Sequence, residues 1–161
     1  GNVIGSRGSI VPFVQQLLKE GKKELPLTDE RMTRFWISLD QGIDFVLTSA
    51  GMMQGGEIFV PKVPSMKIAD MMEALAPGVP HRIIGVRPGE KVHEVLVSDD
   101  DTAAVLDCGD RFIVCPGHDP RVMAHHENSG ATQLEQGFRY ASDTNDDWLD
   151  SERLKKLIDN A

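Results

Sequence analysis

The opening stretch GNVIGSRGSIVPF holds the first side chains that could do chemistry. Gly5, Gly8 and the backbone around Ser9 let a ligand approach closely, and Arg7 adds a fixed positive charge. A loop of this kind ahead of a helix can receive an anion, because the first N–H groups of the helix are free and its dipole is positive there. An ordinary Gly/Ser turn would read the same way, and the stretch is neither a P-loop nor a three-glycine dinucleotide fingerprint. Further along, Arg31 and Arg34 in TDERMTRFWISL (28–39) precede Phe35-Trp36. They read either as forks for a phosphate or a base, or as a solvated pair leading into a helix. In RPGEK (87–91), Arg87 sits between a strand and a Pro-Gly turn, where it could reach a ligand across a sheet edge; a plain turn is the alternative. Glu90 and Lys91 read as surface residues.

Other reactive types are poorly arranged. His118, His125 and His126 find no Cys or acidic partner at a metal-binding spacing, so no metal is expected. Cys108 and Cys115 match no common zinc pattern and read as reduced thiols of a cytoplasmic protein. There is no G-x-S-x-G, and Tyr140 is followed four residues later by Thr144 rather than a lysine. No catalytic residue is expected within this chain.

The elements that must position these residues alternate between helix and strand. Val3-Ile4 reads as the end of a buried strand, and the helix after it has Pro12 at its first position, Val14, Leu17 and Leu18 on one face, and Gly21 as its stop. ELPLTD (24–29) is a short extended segment. Ser38 and Gln41 form a capping box for a helix carrying Leu39, Ile43, Val46 and Leu47 to about Ala50. EIFV (57–60) reads as a fully buried strand, and Ser65 as the cap of a helix with Ile68, Met71, Met72 and Leu75 on one side. HRIIGVR (81–87) and RFIVC (111–115) read as strands, 116–145 as a long excursion, and WLDSERLKKLID (148–159) as a last helix capped near Asp150 or Ser151. The alternation predicts an α/β unit with a mostly parallel sheet. Ligands should then bind past the carboxyl ends of its strands, after Val3-Ile4, Val60 and Arg87.

With 161 residues and 40% hydrophobic content the chain can bury a core, and its net charge of −8 argues against a nucleic-acid partner. No apolar run approaches the ~20 residues that a membrane span needs.

Together, GNVIGSRGSIVPF, DERMTRFWISLDQGIDFVL, GGEIFVPKVPSMKIADMMEALAP and IIGVRPGEKVHE resemble the C-terminal half of the soluble inverting UDP-N-acetylglucosamine 4,6-dehydratases, members of the extended short-chain dehydrogenase/reductase superfamily. The similarity is dense from Gly1 to about Val97, thins through 98–140 and returns faintly at NDDWLDSERLKKL. It implies an α/β fold: the C-terminal part of an NAD(P)-binding Rossmann fold plus the substrate-binding region. Residues 1–115 would hold the end of the Rossmann sheet and that region, and 116–161 the excursion and final helix. The NADP fingerprint and the Tyr-x-x-x-Lys pair would lie in a preceding half, so the chain is expected to be a fragment that is inactive alone.

The resemblance also implies roles. Asn2, Arg34 and Arg87 would bind the substrate, UDP-N-acetylglucosamine, with both guanidinium groups on its diphosphate. Val3, Arg7, Gly8, Ser9, Ile10 and Val11 would belong to the NADP side. In the family, hydride leaves C4 of the sugar, water is lost across C5 and C6, the hydride returns to C6, and C5 is inverted. The product is a UDP-4-keto-6-deoxy-L-hexosamine for pseudaminic-acid-type or other surface polysaccharides. A cytoplasmic homo-oligomer is implied. The retaining 4,6-dehydratases, the capsule-sugar dehydratase/5-epimerase group and a non-catalytic nucleotide-sugar-binding module are the alternatives.

Overall fold

The structure, a computed structural model, describes residues 2–6, 8–99, 104–115 and 119–159. In chain order its elements are β1 (Asn2–Val3), α1 (Ile10–Lys19), β2 (Leu25–Leu27), β3 (Thr33–Ile37), α2 (Leu39–Met52), β4 (Ile58–Pro61), β5 (Ser65–Lys67), α3 (Ile68–Leu75) and β6 (His81–Ile83). They continue with β7 (Val95–Val97), β8 (Val105–Asp107), β9 (Arg111–Val114), α4 (Pro120–Asn128), β10 (Thr132–Gln133), β11 (Tyr140–Ala141) and α5 (Ser151–Asp159). The fold is α/β as expected, but its sheets are mixed. β1 pairs with β3, and β2 with β6, in parallel, whereas β3–β5 and every pairing among the later strands described are antiparallel.

The chain forms two compact units, and both are interleaved in sequence. The first comprises 1–42, 63–94 and 142–161; the second comprises 43–62 and 95–141. The crossings fall at 42/43, 62/63, 94/95 and 141/142.

The first unit is built on the sheet β1-β3-β5. TRFWI, to which the sequence reading assigns no strand, is the central strand and runs on into α2. Its Thr, Phe, Trp and Ile suit a pleated, buried surface, and it is flanked on both sides, by Asn2–Val3 and by Ser65–Lys67. Phe35 and Trp36 are 0% exposed. Around Trp36, one core gathers Ile4, Val11 and Val14 of the first segment, Met66, Met71 and Met72, and Leu149 and Leu154 of the last. Burying each Leu- or Met-sized side chain here stabilises the fold by roughly 1.5–3 kcal/mol.

Helix α1 starts at Ile10, after Ser9, so Pro12 is its third residue rather than its first. The missing N–H costs nothing there, because first-turn N–H groups have no partner inside a helix. Gly21, at φ +72, closes the helix with its N–H on the Leu18 carbonyl. Ser65 does not cap α3. It lies in β5, donating its N–H to Asp147 and accepting from the N–H of Leu149, so that 147–149 extends the sheet edge. The expected strand HRIIGVR shortens to His81–Ile83. Asp150 caps α5, its Oδ1 accepting from the N–H of Arg153 at 2.7 Å.

The second unit carries the antiparallel sheet β10-β8-β9-β4, the pair β11-β7, helix α4 and the body of α2. Leu106, Ile113, Cys115 and Val122 form its core. The long excursion is therefore structured: Asp119 caps α4 through the N–H of Arg121, with Pro120 opening the helix. EIFV is not fully buried, since Ile58 is 63% exposed. The Ser38–Gln41 capping box forms as expected, with both reciprocal bonds present at 2.9 and 3.1 Å. The stripe it launches, Leu39, Ile43, Val46 and Leu47, is exposed. Among the described residues, no helix is long and apolar enough to cross a membrane.

Candidate functional site

Parallel strands deliver their carboxyl ends to one place in the first unit. Just past β1, β2 and β6 the chain leaves the strands, and Ser6, Thr28 and Ile84 on these departures line a cleft of ≈ 720 Å³. Seven of the nine expected site residues line it: Asn2, Val3, Gly8, Ser9, Ile10, Arg34 and Arg87. Arg7 lies outside the described residues. Val11 does not line the cleft; its side chain is 3% exposed in the core beneath α1. The turn after Val60, expected as a third ligand position, lines no part of this cleft.

The loop from β1 to α1 is shaped by its glycines. Gly5 and Gly8 take φ values of +77 and +76, where any other residue would be strained. Between them, Ser6 folds its hydroxyl back onto the Val3 carbonyl at 2.8 Å. Ser9 occupies the cap position of α1, yet its side chain makes no capping bond, and its Oγ is buried without a hydrogen-bond partner. The indole N–H of Trp36, another residue of the cleft wall, is also buried and unpartnered. Unmet buried polar groups cost free energy, and both of these belong to residues that line the cleft.

The two expected substrate arginines are in opposite states. Arg87 is exposed, and among the described residues its guanidinium makes no hydrogen bond or ion pair. Its turn is closed by the backbone and by Glu90: Glu90 donates its N–H to the Arg87 carbonyl at 3.0 Å, and its carboxylate accepts from the Arg87 N–H at 3.2 Å. Glu90 is thus a wall residue rather than the surface residue expected. The Arg34 side chain is only 12% exposed. Its Nη1 donates to the carbonyls of Thr33 and Val92 at 2.7 and 3.0 Å, and its Nη2 to that of Lys91 at 2.8 Å. Arg31, the other half of the expected fork, does not line the cleft. It is tied to Asp29 through Nε and Nη2, and the guanidinium's hydrogen bonds hold that carboxyl down at about 2.

Sequence reasoning passed over Thr28, Met32, Trp36 and Ile84 in the wall. Thr28 and Ile84 follow short strands whose parallel pairing was the missing signal. Of the residues noted for metal or thiol chemistry, His126 and Cys115 are buried in the second unit, while His125 is exposed. His126 and Glu57, 2% and 0% exposed, pair at 3.0 Å. Cys115 is buried, and burial pushes its thiol up to about 11. His118 lies outside the described residues.

The family model described as polysaccharide biosynthesis protein matches residues 1–116. The chain is 46% identical to an inverting UDP-N-acetylglucosamine 4,6-dehydratase of Campylobacter jejuni, across 99% of this chain and 49% of the relative. It is 42% identical to a UDP-glucose 4-epimerase of Rickettsia canadensis, across 70% of this chain and 34% of the relative. Among solved structures, Pen from Bacillus thuringiensis superposes with a TM-score of 0.78 at 29% identity, covering 99% of this chain and 48% of that one. The chain spans about half the length of the curated relatives it matches.

Proposed function

The chain belongs to the polysaccharide biosynthesis protein family, and from that membership we propose that it supplies the nucleotide-sugar-holding part of an inverting UDP-N-acetylglucosamine 4,6-dehydratase. The observation that carries the reading is the free guanidinium of Arg87 in one cleft with Asn2, Ser9 and Arg34, residues brought together from three distant segments. A diphosphate is the natural ligand of such a group, since a guanidinium matches phosphate oxygens with charge-assisted hydrogen bonds. Both kinds of named relative, dehydratase and epimerase, take a UDP-sugar by their names. The dehydratase similarity runs the whole chain and the epimerase similarity does not, which favours dehydration over epimerisation alone.

The chemistry asks little of this part beyond anchorage. Loss of water across C5 and C6 needs the sugar held in one pose while protons and a hydride move. A firm grip on the diphosphate restricts the sugar at the far end of the molecule. Asn2 would touch the sugar, and Arg87 and Arg34 would neutralise the diphosphate. NADP, when bound, supplies the hydride acceptor. The residues present fit one edge of it: Val3, Gly8, Ser9 and Ile10 line the cleft, Gly8 permits close backbone approach, and the Ser9 hydroxyl lacks a partner. A cytoplasmic homo-oligomer making a precursor of a pseudaminic-acid-type or other surface sugar completes the proposal.

The test is to incubate the protein translated from the full gene with UDP-N-acetylglucosamine and NADP and to record proton NMR spectra. A new 6-methyl doublet with L-arabino couplings is expected. A D-xylo pattern would move the protein to the retaining branch, and absence of UDP binding would overturn the reading. The 161-residue chain alone is expected to bind UDP without turnover.

A further inference from the structure

Arg34 is expected on the substrate, yet most of its guanidinium faces the protein's own backbone. Of the five N–H groups of an arginine, three go to carbonyls, of Thr33, Val92 and Lys91. Nε lies 3.6 Å from the Glu94 carboxylate. One N–H is left for a ligand.

Two of those carbonyls, of Lys91 and Val92, belong to 91–94, a segment in no strand or helix that is nevertheless pinned at every residue. Lys91 and Val92 are held by Arg34. Val92 also accepts from the N–H of Thr33 at 3.0 Å. His93 meets the Thr33 hydroxyl through Nδ1 at 2.8 Å. Glu94 donates its N–H to the Ser142 hydroxyl at 2.9 Å and accepts from the Ser142 N–H at 2.8 Å. Ser142 in turn meets Thr33 Oγ1 at 2.7 Å and is 0% exposed. This segment runs directly out of the Arg87–Glu90 turn, the turn that carries the free guanidinium.

We infer that Arg34 is a positioning residue: it clamps residues 91–94 to β3 and thereby fixes where Arg87 stands in the cleft. The inference rests on the proposed diphosphate reading for its functional meaning. A lysine keeps the charge of Arg34 but cannot reach carbonyls at three separate points as a planar fork does. Direct phosphate contact and clamping therefore give different answers to one substitution.

The experiment compares the wild-type protein with Arg34→Lys and Ser142→Ala, reading UDP affinity by calorimetry and amide hydrogen exchange across 87–94. The expected result for Arg34→Lys is faster exchange confined to 87–94 by about tenfold or more, and UDP binding weakened by about tenfold or more. Ser142→Ala, which changes no charge and no cleft residue, should produce the same local exchange signature and a smaller affinity loss. It keeps the test open if Arg34→Lys does not fold. Unchanged exchange at 87–94 in Arg34→Lys, or a Ser142→Ala protein that binds UDP like wild type, would overturn the inference. If the wild-type protein does not bind UDP, the diphosphate reading falls, while the exchange arm still decides whether Arg34 holds the segment.

Discussion

Arg111 of the second unit and Arg87 of the first carry the same guanidinium in contrasting surroundings. Arg111 is 5% exposed, and four of its five N–H groups are engaged. It donates to Ser49 Oγ at 2.8 Å, to Thr48 Oγ1 at 3.0 Å and to both oxygens of Asp110, and it lies 4.8 Å from the ring centroid of Phe45. Nearby charges of that unit are closed in the same way: Lys62 meets Asp107 at 2.6 Å and Glu57 meets His126 at 3.0 Å. The first unit instead leaves Arg87 exposed and two polar atoms of its cleft wall unmet. A charge whose hydrogen bonds are met inside the protein maintains the fold; one left open at a cleft is available to something else. The comparison separates residues whose loss should unfold the protein from residues whose loss should cost only binding.

The hardest blow should come from the closed side. Glu57→Ala removes the partner of a buried histidine and strands the N–H groups of Gln54 and Gly55, which Glu57 accepts at 2.7 and 2.6 Å. Breaking such a pair costs about 3–5 kcal/mol, so chemical denaturation should show a loss of that size. A loss under about 1 kcal/mol would place the pair among interactions that hold nothing. The same residue gives the unit an acid limit. Burial pushes the Glu57 carboxyl up, but the His126 hydrogen bond and the two backbone donors outweigh it and hold the group at about 2, against an ordinary 4.5. The unfolded chain therefore binds this proton more readily than the folded one. The stabilisation is complete above pH 4.5 and fades as pH falls toward 2. Glu57→Gln should flatten that limb of the stability–pH curve.

Arg87→Ala should leave stability unchanged and weaken UDP binding by about 1.5–3 kcal/mol, the range for a charge-assisted hydrogen bond. Calorimetry checks the affinity and thermal melting checks the fold. A drop in Tm without an affinity change would reverse the contrast drawn above. Smallest of all is Arg31→Ala. Its pair with Asp29 is exposed and lies outside the cleft, so neither Tm nor UDP affinity should move measurably.

How far the sequence announces this arrangement depends on range. The Ser38–Gln41 box was legible because both partners lie within one turn. The stop at Gly21 was legible because left-handed backbone favours glycine. The candidate cleft residues could be named from resemblance, and of those among the described residues all but Val11 line one cavity. What stayed hidden was set by distant partners. TRFWI has a charged residue in its second place, which spoils a simple apolar reading, and it becomes a central strand only because residues 2–3 and 65–67 flank it. Arg34 looked available because the carbonyls that occupy it are 57 and 58 residues away. Ser65 has the right type for a cap, but the edge formed by 147–149 claims its backbone.

The return of residues 142–161 to the first unit sets an order of events during synthesis. Thr33 and Ser142, bonded at 2.7 Å, are 109 residues apart, and Leu154 completes the core that Val11 and Val14 begin. Closing so long a loop is slow and yields nothing until its far end arrives. A ribosome adding about 5–20 residues per second would expose the glycine loop and β3 for several seconds before Ser142 could seal the segment that carries Arg87. The cleft should be among the last features of the protein to acquire its shape, long after the helix that begins at Ile10 can form.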